Sequence, residues 1–135
     1  YLNGTNPYFP DGVNVSFVEE LGNQKIFVRT FERGVGFTNA CGTAMAASSL
    51  MYVLLKGGKL EEKIQVTNPG GMVQTIVHQK EDGNYWMDLI GNATFLNKVF
   101  FSLEDILNHQ LTNGEVILLN EDKTYHEFIE GLSTI

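Results

Sequence analysis

The single cysteine of the chain, Cys41, lies where a loop is predicted to become a helix, in the run Ala40-Cys41-Gly42-Thr43. The first amides of a helix have no internal partners and carry a partial positive charge. A thiol at such a position is favoured in its thiolate form. The amides of Gly42, Thr43 and the next residue can also bind a carboxylate, which Gly42 allows to approach closely. The pattern therefore indicates a reactive thiol beside an anion-binding helix end.

The alternative is that Cys41 is a small buried side chain next to a tight turn. A Gly-x-Gly loop, Gly34–Gly36, precedes the cysteine, and small residues follow it in the predicted helix. Small residues allow a helix to lie deep in the core, against a neighbouring element. The junction favours the reactive thiol over the buried one.

Other polar residues say less by themselves. Glu32-Arg33 follows a predicted strand, where such a pair is commonly a solvated charge pair. His78 alternates with apolar residues on a strand, and His109 and His126 lack metal-ligand spacing, so we expect no metal. Asn68-Pro69-Gly70-Gly71 predicts a tight turn, to which we assign no chemistry.

The elements that position these residues can be predicted from periodicity. Val13–Glu19 and Lys25–Phe31 alternate with period two across a Gly22-Asn23 turn, which indicates a hairpin. Gly42–Lys56 favours a helix that Gly57-Gly58 ends. Further strands are predicted at Lys63–Thr67, Val73–Gln79, Tyr85–Ile90, Ala93–Phe101 and Glu115–Leu119, and short helices at Ser102–His109 and Lys123–Glu130. The predicted fold class is α+β, a curved, mostly antiparallel sheet wrapped on one central helix.

Composition limits the classes of function. The chain has 135 residues, 43% of them hydrophobic, and a net charge of −7 with nine Lys and Arg. So few cations, thinly spread, argue against nucleic acid and anionic membrane as partners. The apolar run near Met45–Leu55 is too short to span a bilayer. Because the chain begins at Tyr1, we expect a fragment or a processed chain of a soluble, cytoplasmic protein.

Four motifs, in order, resemble the signature of the carboxyl-terminal half of the diaminopimelate epimerase family. They are Phe9–Val15 (FPDGVNV), Phe31–Gly36 (FERGVG), Ala40–Thr43 (ACGT) and Asn68–Gly71 (NPGG). Their order and spacing match the family over about residues 9–100. The resemblance implies one lobe of a two-lobed epimerase fold over residues 1–100. Residues 101–135 would be a tail extension that packs on this lobe, packs on a missing lobe or supports a homodimer, and the sequence leaves these alternatives open.

The resemblance also implies an activity. Enzymes of this family interconvert LL- and meso-diaminopimelate, for lysine and peptidoglycan precursors, without pyridoxal phosphate or another cofactor. Each lobe gives one cysteine to a cleft, and the two thiols act as base and acid on opposite faces of Cα. Cys41 would be one thiol, while Gly42 and Thr43 would bind the reacting carboxylate. The implied partners are the amino-acid substrate and an amino-terminal lobe with the second cysteine.

The distal end of the substrate is implied to meet three other residues. Asn14 matches the asparagine that bonds the distal end, and Arg33 matches the residue that holds the distal carboxylate. Glu32 matches the carboxylate that meets the distal ammonium and tunes the cysteines, which makes it catalytic in the family.

Two departures from the family pattern leave alternatives open. Ala44 stands where the family usually has glycine, and Phe37 replaces a common acidic residue, which is expected to add apolar character near the site. They leave room for a racemase of another amino acid on the same fold. A non-catalytic, carboxylate-binding lobe is the third alternative. This lobe by itself is expected to be inactive, because one thiol reaches one face of Cα.

Overall fold

The computed structural model describes residues 2–132, which divide along the chain into two compact units, the first ending at Asn92 and the second beginning at Ala93. The first unit contains β1 (Val15–Gly22), β2 (Lys25–Glu32), β3 (Gly36–Thr38), α1 (Gly42–Lys56), β4 (Lys63–Asn68), β5 (Gly71–Gln79) and β6 (Tyr85–Ile90). Its sheet has the order β1-β2-β4-β5-β6, with β3 paired to β2. The β2–β4 pair is parallel and the other pairs are antiparallel.

The central helix α1 contacts β1, β2, β4, β5 and β6. This arrangement confirms the predicted α+β class, with a mostly antiparallel sheet on one central helix. The helix has the predicted bounds and ends at Gly57, whose φ of 78° is easily adopted by glycine.

Alternation along the strands builds the core between sheet and helix. Every second residue of β2 points inward. The buried apolar side chains of the core come from β2, β4, β5 and α1, and they are Ile26, Val28, Met45, Tyr52, Ile64, Val66 and Val77. A buried polar pair crosses this core. The Thr75 hydroxyl donates to Ser49 Oγ at 2.7 Å, and Ser49 Oγ donates to the Met45 carbonyl at 2.9 Å. Small residues therefore do let α1 lie deep against the sheet.

Strand β3 is an addition to the predicted elements. It has three residues, too few for a period-two signal. It begins at Gly36, which has a φ of 100°, two residues after Gly34, which has a φ of 74°. Pairing with β2 creates the strand, in the register Thr30↔Thr38, Phe31↔Phe37 and Glu32↔Gly36. The tight turn between β2 and β3 decides where Glu32 and Arg33 lie.

The second unit contains β7 (Asn97–Phe100) and β8 (Glu115–Leu118), which pair antiparallel, with α2 (Leu103–Leu107) and α3 (Lys123–Leu132). These elements confirm the predicted strands and helices, and Ser102 caps α2 by accepting from the Asp105 amide at 3.0 Å. This unit begins at Ala93, and within it β7 pairs with β8. The division into a lobe over residues 1–100 and a tail over residues 101–135 stays a prediction. Packing of the tail on either lobe stays a prediction.

Candidate active site

Cys41 occupies the N-cap position of α1, with extended backbone angles (φ −144°, ψ 99°), and its side chain does not cap the helix. Its carbonyl accepts the first helical bond, from the Met45 amide at 3.0 Å. Within residues 2–132, the amides of Gly42, Thr43 and Ala44 have no hydrogen-bond acceptor. The first turn carries no acidic residue to neutralise the helix end. The start of α1 is therefore open to an anion.

The surroundings of Cys41 keep its thiol accessible. Cys41 is half-buried, and its Sγ lies 3.6 Å from the hydroxyl of the exposed Thr43. Gly42 is packed beneath β6, since a Cβ there would lie 3.0 Å from Leu89 Cδ2. Thiol, hydroxyl and free amides thus all lie at the start of α1. The catalytic role of Cys41 and carboxylate binding by Gly42 and Thr43 stay predictions.

Glu32 ends β2 and is tied to the segment that leads into Cys41. Its Oε1 accepts a hydrogen bond from the Thr38 hydroxyl at 2.5 Å. Thr38 ends β3 and is followed by Asn39, Ala40 and Cys41. Because the inward residues of β2 include Thr30 and Glu32 in alternation, the Glu32 side chain lies on the face that carries α1.

Arg33 is held by the segment Phe9–Val15, the first of the four motifs. Its amide donates to Asn14 Oδ1 at 3.0 Å, and its Nη1 donates to the Asp11 carbonyl at 3.0 Å. Gly12, at φ 76°, lets the chain pass close beneath this side chain, since a Cβ there would lie 3.3 Å from Arg33 Cβ. Two residues that are distant in sequence therefore place Arg33: Asn14 holds its main chain and the Asp11 carbonyl orients its guanidinium.

The charges of Glu32 and Arg33 do not neutralise each other. Neither side chain forms an ion pair with any residue in the described range 2–132. The Asn14 side-chain nitrogen also has no hydrogen-bond acceptor in that range. One anionic, one cationic and one amide group are thus grouped at the end of β2, while Cys41, Gly42 and Thr43 form a second group at the start of α1. β3 and the residues after it connect the two groups.

Phe37 lies elsewhere than expected. It pairs with Phe31, packs edge-on against that ring at 5.3 Å between centroids, and stacks under the Arg29 guanidinium at 4.9 Å. Side chains of neighbouring strand residues point to opposite faces, so Phe37 lies on the face of the ribbon opposite to Glu32. It therefore adds apolar surface to the outside of the sheet and not to the Glu32 side.

His78 has two carboxylates as partners: its Nδ1 lies 2.6 Å from Glu61 Oε2 and its Nε2 lies 3.3 Å from Asp88 Oδ2. Its ring stacks on Trp86 at 3.9 Å. Burial would lower the His78 pKa, but the hydrogen bonds and charges of Glu61 and Asp88 outweigh it and raise the pKa above its usual 6.5.

Among residues 2–132 no cluster of three His, Cys, Asp or Glu could hold a metal ion, and no helix is long and apolar enough to cross a membrane.

The turn Asn68–Gly71 has contacts that sequence reasoning missed. The Gly70 amide donates to the Asn39 carbonyl at 2.8 Å, and the Asn68 side-chain nitrogen lies 3.0 Å from Met45 Sδ. A polar Asn at the inward end of a buried strand was the available signal, because such a group needs a partner.

The family model and the relatives that match this chain carry the same family name. The model of the family described as diaminopimelate epimerase matches residues 4–96. The diaminopimelate epimerase of Enterococcus faecalis is 58% identical over 98% of this chain and 41% of its own length. That of Ligilactobacillus salivarius is 61% identical over 98% and 42%, and that of Lactiplantibacillus plantarum 58% over 96% and 40%. The chain thus spans about two fifths of the length of these relatives, and the matches extend into its second unit.

Proposed function

The chain belongs to the diaminopimelate epimerase family, as its motifs predicted, and we propose that it is the carboxyl-terminal lobe of a cofactor-independent epimerase. The proposed reaction interconverts LL- and meso-diaminopimelate, for lysine and peptidoglycan precursors. The names of the relatives support the substrate, and the two fifths of their length that the chain spans support a lobe. The second cysteine is assigned to an amino-terminal lobe outside this chain.

One observation carries the proposal: a half-buried thiol lies at a helix start whose first three amides have no acceptor within residues 2–132. Removal of the Cα proton leaves a carbanion whose charge spreads into the adjacent carboxylate. Helix amides that bind this carboxylate stabilise the added charge most strongly in the transition state. Cys41 lies at the same helix end and is the group proposed to take the proton.

The proposed proton balance uses both lobes. In one direction Cys41 as thiolate takes the proton from one face of Cα, and the second thiol gives its proton to the other face. Cα is inverted, and the enzyme is left with the two protonation states exchanged. The reverse reaction exchanges the roles of the two thiols, so the same pair serves both directions.

The group at the end of β2 supports a substrate with two polar ends. Arg33 is exposed, oriented by Asp11 and Asn14, and without an ion-pair partner in residues 2–132, so its fork can receive a distal carboxylate. Glu32 can accept from a distal ammonium while Thr38 holds its other contact. An amino acid that lacks the distal carboxylate would leave Arg33 without a partner.

The direct test replaces Cys41 in the complete protein, meaning this chain together with the amino-terminal lobe. Cys41→Ala should abolish the interconversion of stereoisomers, measured by chiral chromatography, with the melting temperature retained. Ala47→Ser, an exposed change on the same helix, is the control and should keep near-normal turnover. Near-normal epimerisation by Cys41→Ala would refute the assignment of this thiol.

A further inference from the structure

The turn between β4 and β5 touches the segment that carries Cys41. Gly70 donates its amide to the Asn39 carbonyl at 2.8 Å, and Asn39 is separated from Cys41 by Ala40 alone. A Cβ on Gly70 would lie 2.8 Å from that carbonyl oxygen and 3.0 Å from the carbonyl carbon. Both are backbone atoms, so a side chain at position 70 would displace the main chain of the Cys41 loop.

Asn68 connects the same turn to the helix. Its side-chain oxygen accepts from the Gly70 amide at 3.0 Å, and its side-chain nitrogen donates to Met45 Sδ at 3.0 Å. Asn68 is 4% exposed and Met45 2% exposed. The Met45 amide, in turn, donates to the Cys41 carbonyl. Through Gly70 and Asn68, the turn thus contacts Asn39 and Met45, which lie on either side of Cys41 in the chain.

We propose that Asn68 and Gly70 are positioning residues that set the place of the Cys41 thiol against the start of α1. The inference rests on the proposed function, since it concerns the thiol of that reaction. α1 itself is fixed by the core, through Met45 and the Ser49–Thr75 hydrogen bond. The residues before Cys41 lack such packing, since Asn39 and Ala40 are exposed, and the Gly70 bond holds them.

Gly70 allows a clean test because its φ lies outside the left-handed region. Alanine at this position therefore meets no backbone strain of its own, and its effect comes from the contact with Asn39. Gly91 is the matched control. Its φ also lies outside the left-handed region, and a Cβ there would meet no atom within 4 Å.

The experiment compares kcat and KM for diaminopimelate in the complete protein. In Gly70→Ala the Asn39 main chain must move by some tenths of an ångström, which shifts the thiol more than the helix amides that bind the carboxylate. We expect kcat to fall by about 10-fold or more with KM changed by less than about 3-fold, since misplacement by 1 Å can cost a factor of about 100. Gly91→Ala should match the parent protein in both constants.

A second variant addresses Asn68 without creating a cavity. Met45→Leu removes the sulfur acceptor at nearly constant volume. It should also lower kcat, but by a smaller factor than Gly70→Ala does. Melting temperatures of all variants show that the fold is retained. Equal kcat for Gly70→Ala and Gly91→Ala would overturn the positioning role while leaving the proposed function intact. Normal turnover by Cys41→Ala would instead overturn the proposed function.

Discussion

The Thr38 hydroxyl and the Glu32 carboxylate are joined by a hydrogen bond of 2.5 Å across the β2–β3 ribbon. This bond links the side chain proposed to bind the distal ammonium to the segment that enters Cys41. A carboxylate held by a hydroxyl keeps one orientation, and the remaining lone pairs of Glu32 can accept from a ligand. Binding of the distal end and placement of the thiol are thereby connected through one short strand.

Thr38→Val should therefore weaken substrate binding. Valine keeps the shape of threonine but removes the donor, and a hydrogen bond to a carboxylate is worth about 1.5–3 kcal/mol. We expect KM for diaminopimelate to rise on the order of 10-fold in the complete protein, measured by initial rates. The control is Thr30→Val, directly opposite Thr38 in the β2–β3 ribbon, which removes the 3.0 Å hydroxyl contact with Ser16 of β1. A KM that rises equally in both variants would show that ribbon stability, and not the Glu32 contact, is responsible.

Arg33→Lys should lower kcat/KM for diaminopimelate by roughly 100-fold. Lysine keeps the charge but loses the planar fork that binds a carboxylate through two bonds. It also loses the Nη1 bond to the Asp11 carbonyl that orients the side chain. Arg29→Lys, on the outer face over Phe37, is the matched control and should change the ratio little. If Arg33→Lys is equally active on diaminopimelate and on an amino acid without a distal carboxylate, the protein is a racemase of another amino acid.

The chain alone should not epimerise any amino acid. One thiol reaches one face of Cα, and the sequence has no second cysteine. An open half-cleft also does not exclude water from the carbanion. The measurement is Cα deuterium incorporation and stereoisomer ratio in deuterated water, first with the chain and then with the amino-terminal lobe added. Turnover by the chain alone that disappears when Cys41 is blocked would contradict the two-lobe mechanism.

Stability should depend on pH through His78. Its pKa in the folded state is raised by Glu61 and Asp88, against the effect of burial, so folding favours the protonated ring. This stabilisation is fully present below the unfolded pKa of about 6.5 and is lost as pH rises through the higher folded pKa. The melting temperature of His78→Gln should therefore lie further below that of the parent at about pH 5.5 than at about pH 8.5. His126→Gln is the control, because this histidine is 65% exposed. If the melting temperature of His78→Gln lies equally far below that of the parent at both pH values, the prediction is refuted.

Local sequence was enough to predict the elements that carry the thiol. Helix α1 begins and ends where its glycines and helix-forming residues place it, and β6 has the predicted bounds Tyr85–Ile90. These signals are local: period-two alternation, helix propensity and turn residues act within a few positions of the chain. The grouping of Cys41 with free helix amides followed from the same local reasoning, since any helix start leaves its first amides without internal partners.

Tertiary structure alone decided the contacts between distant segments. β3 exists because β2 offers it a partner, and Phe37 faces outward because of the register in which those strands pair. Arg33 takes its orientation from Asp11 and Asn14, and Gly70 holds Asn39, across gaps that no local periodicity spans. Such contacts depend on register and on the space left between packed backbones, and both are properties of the assembled sheet and helix rather than of any short stretch of residues.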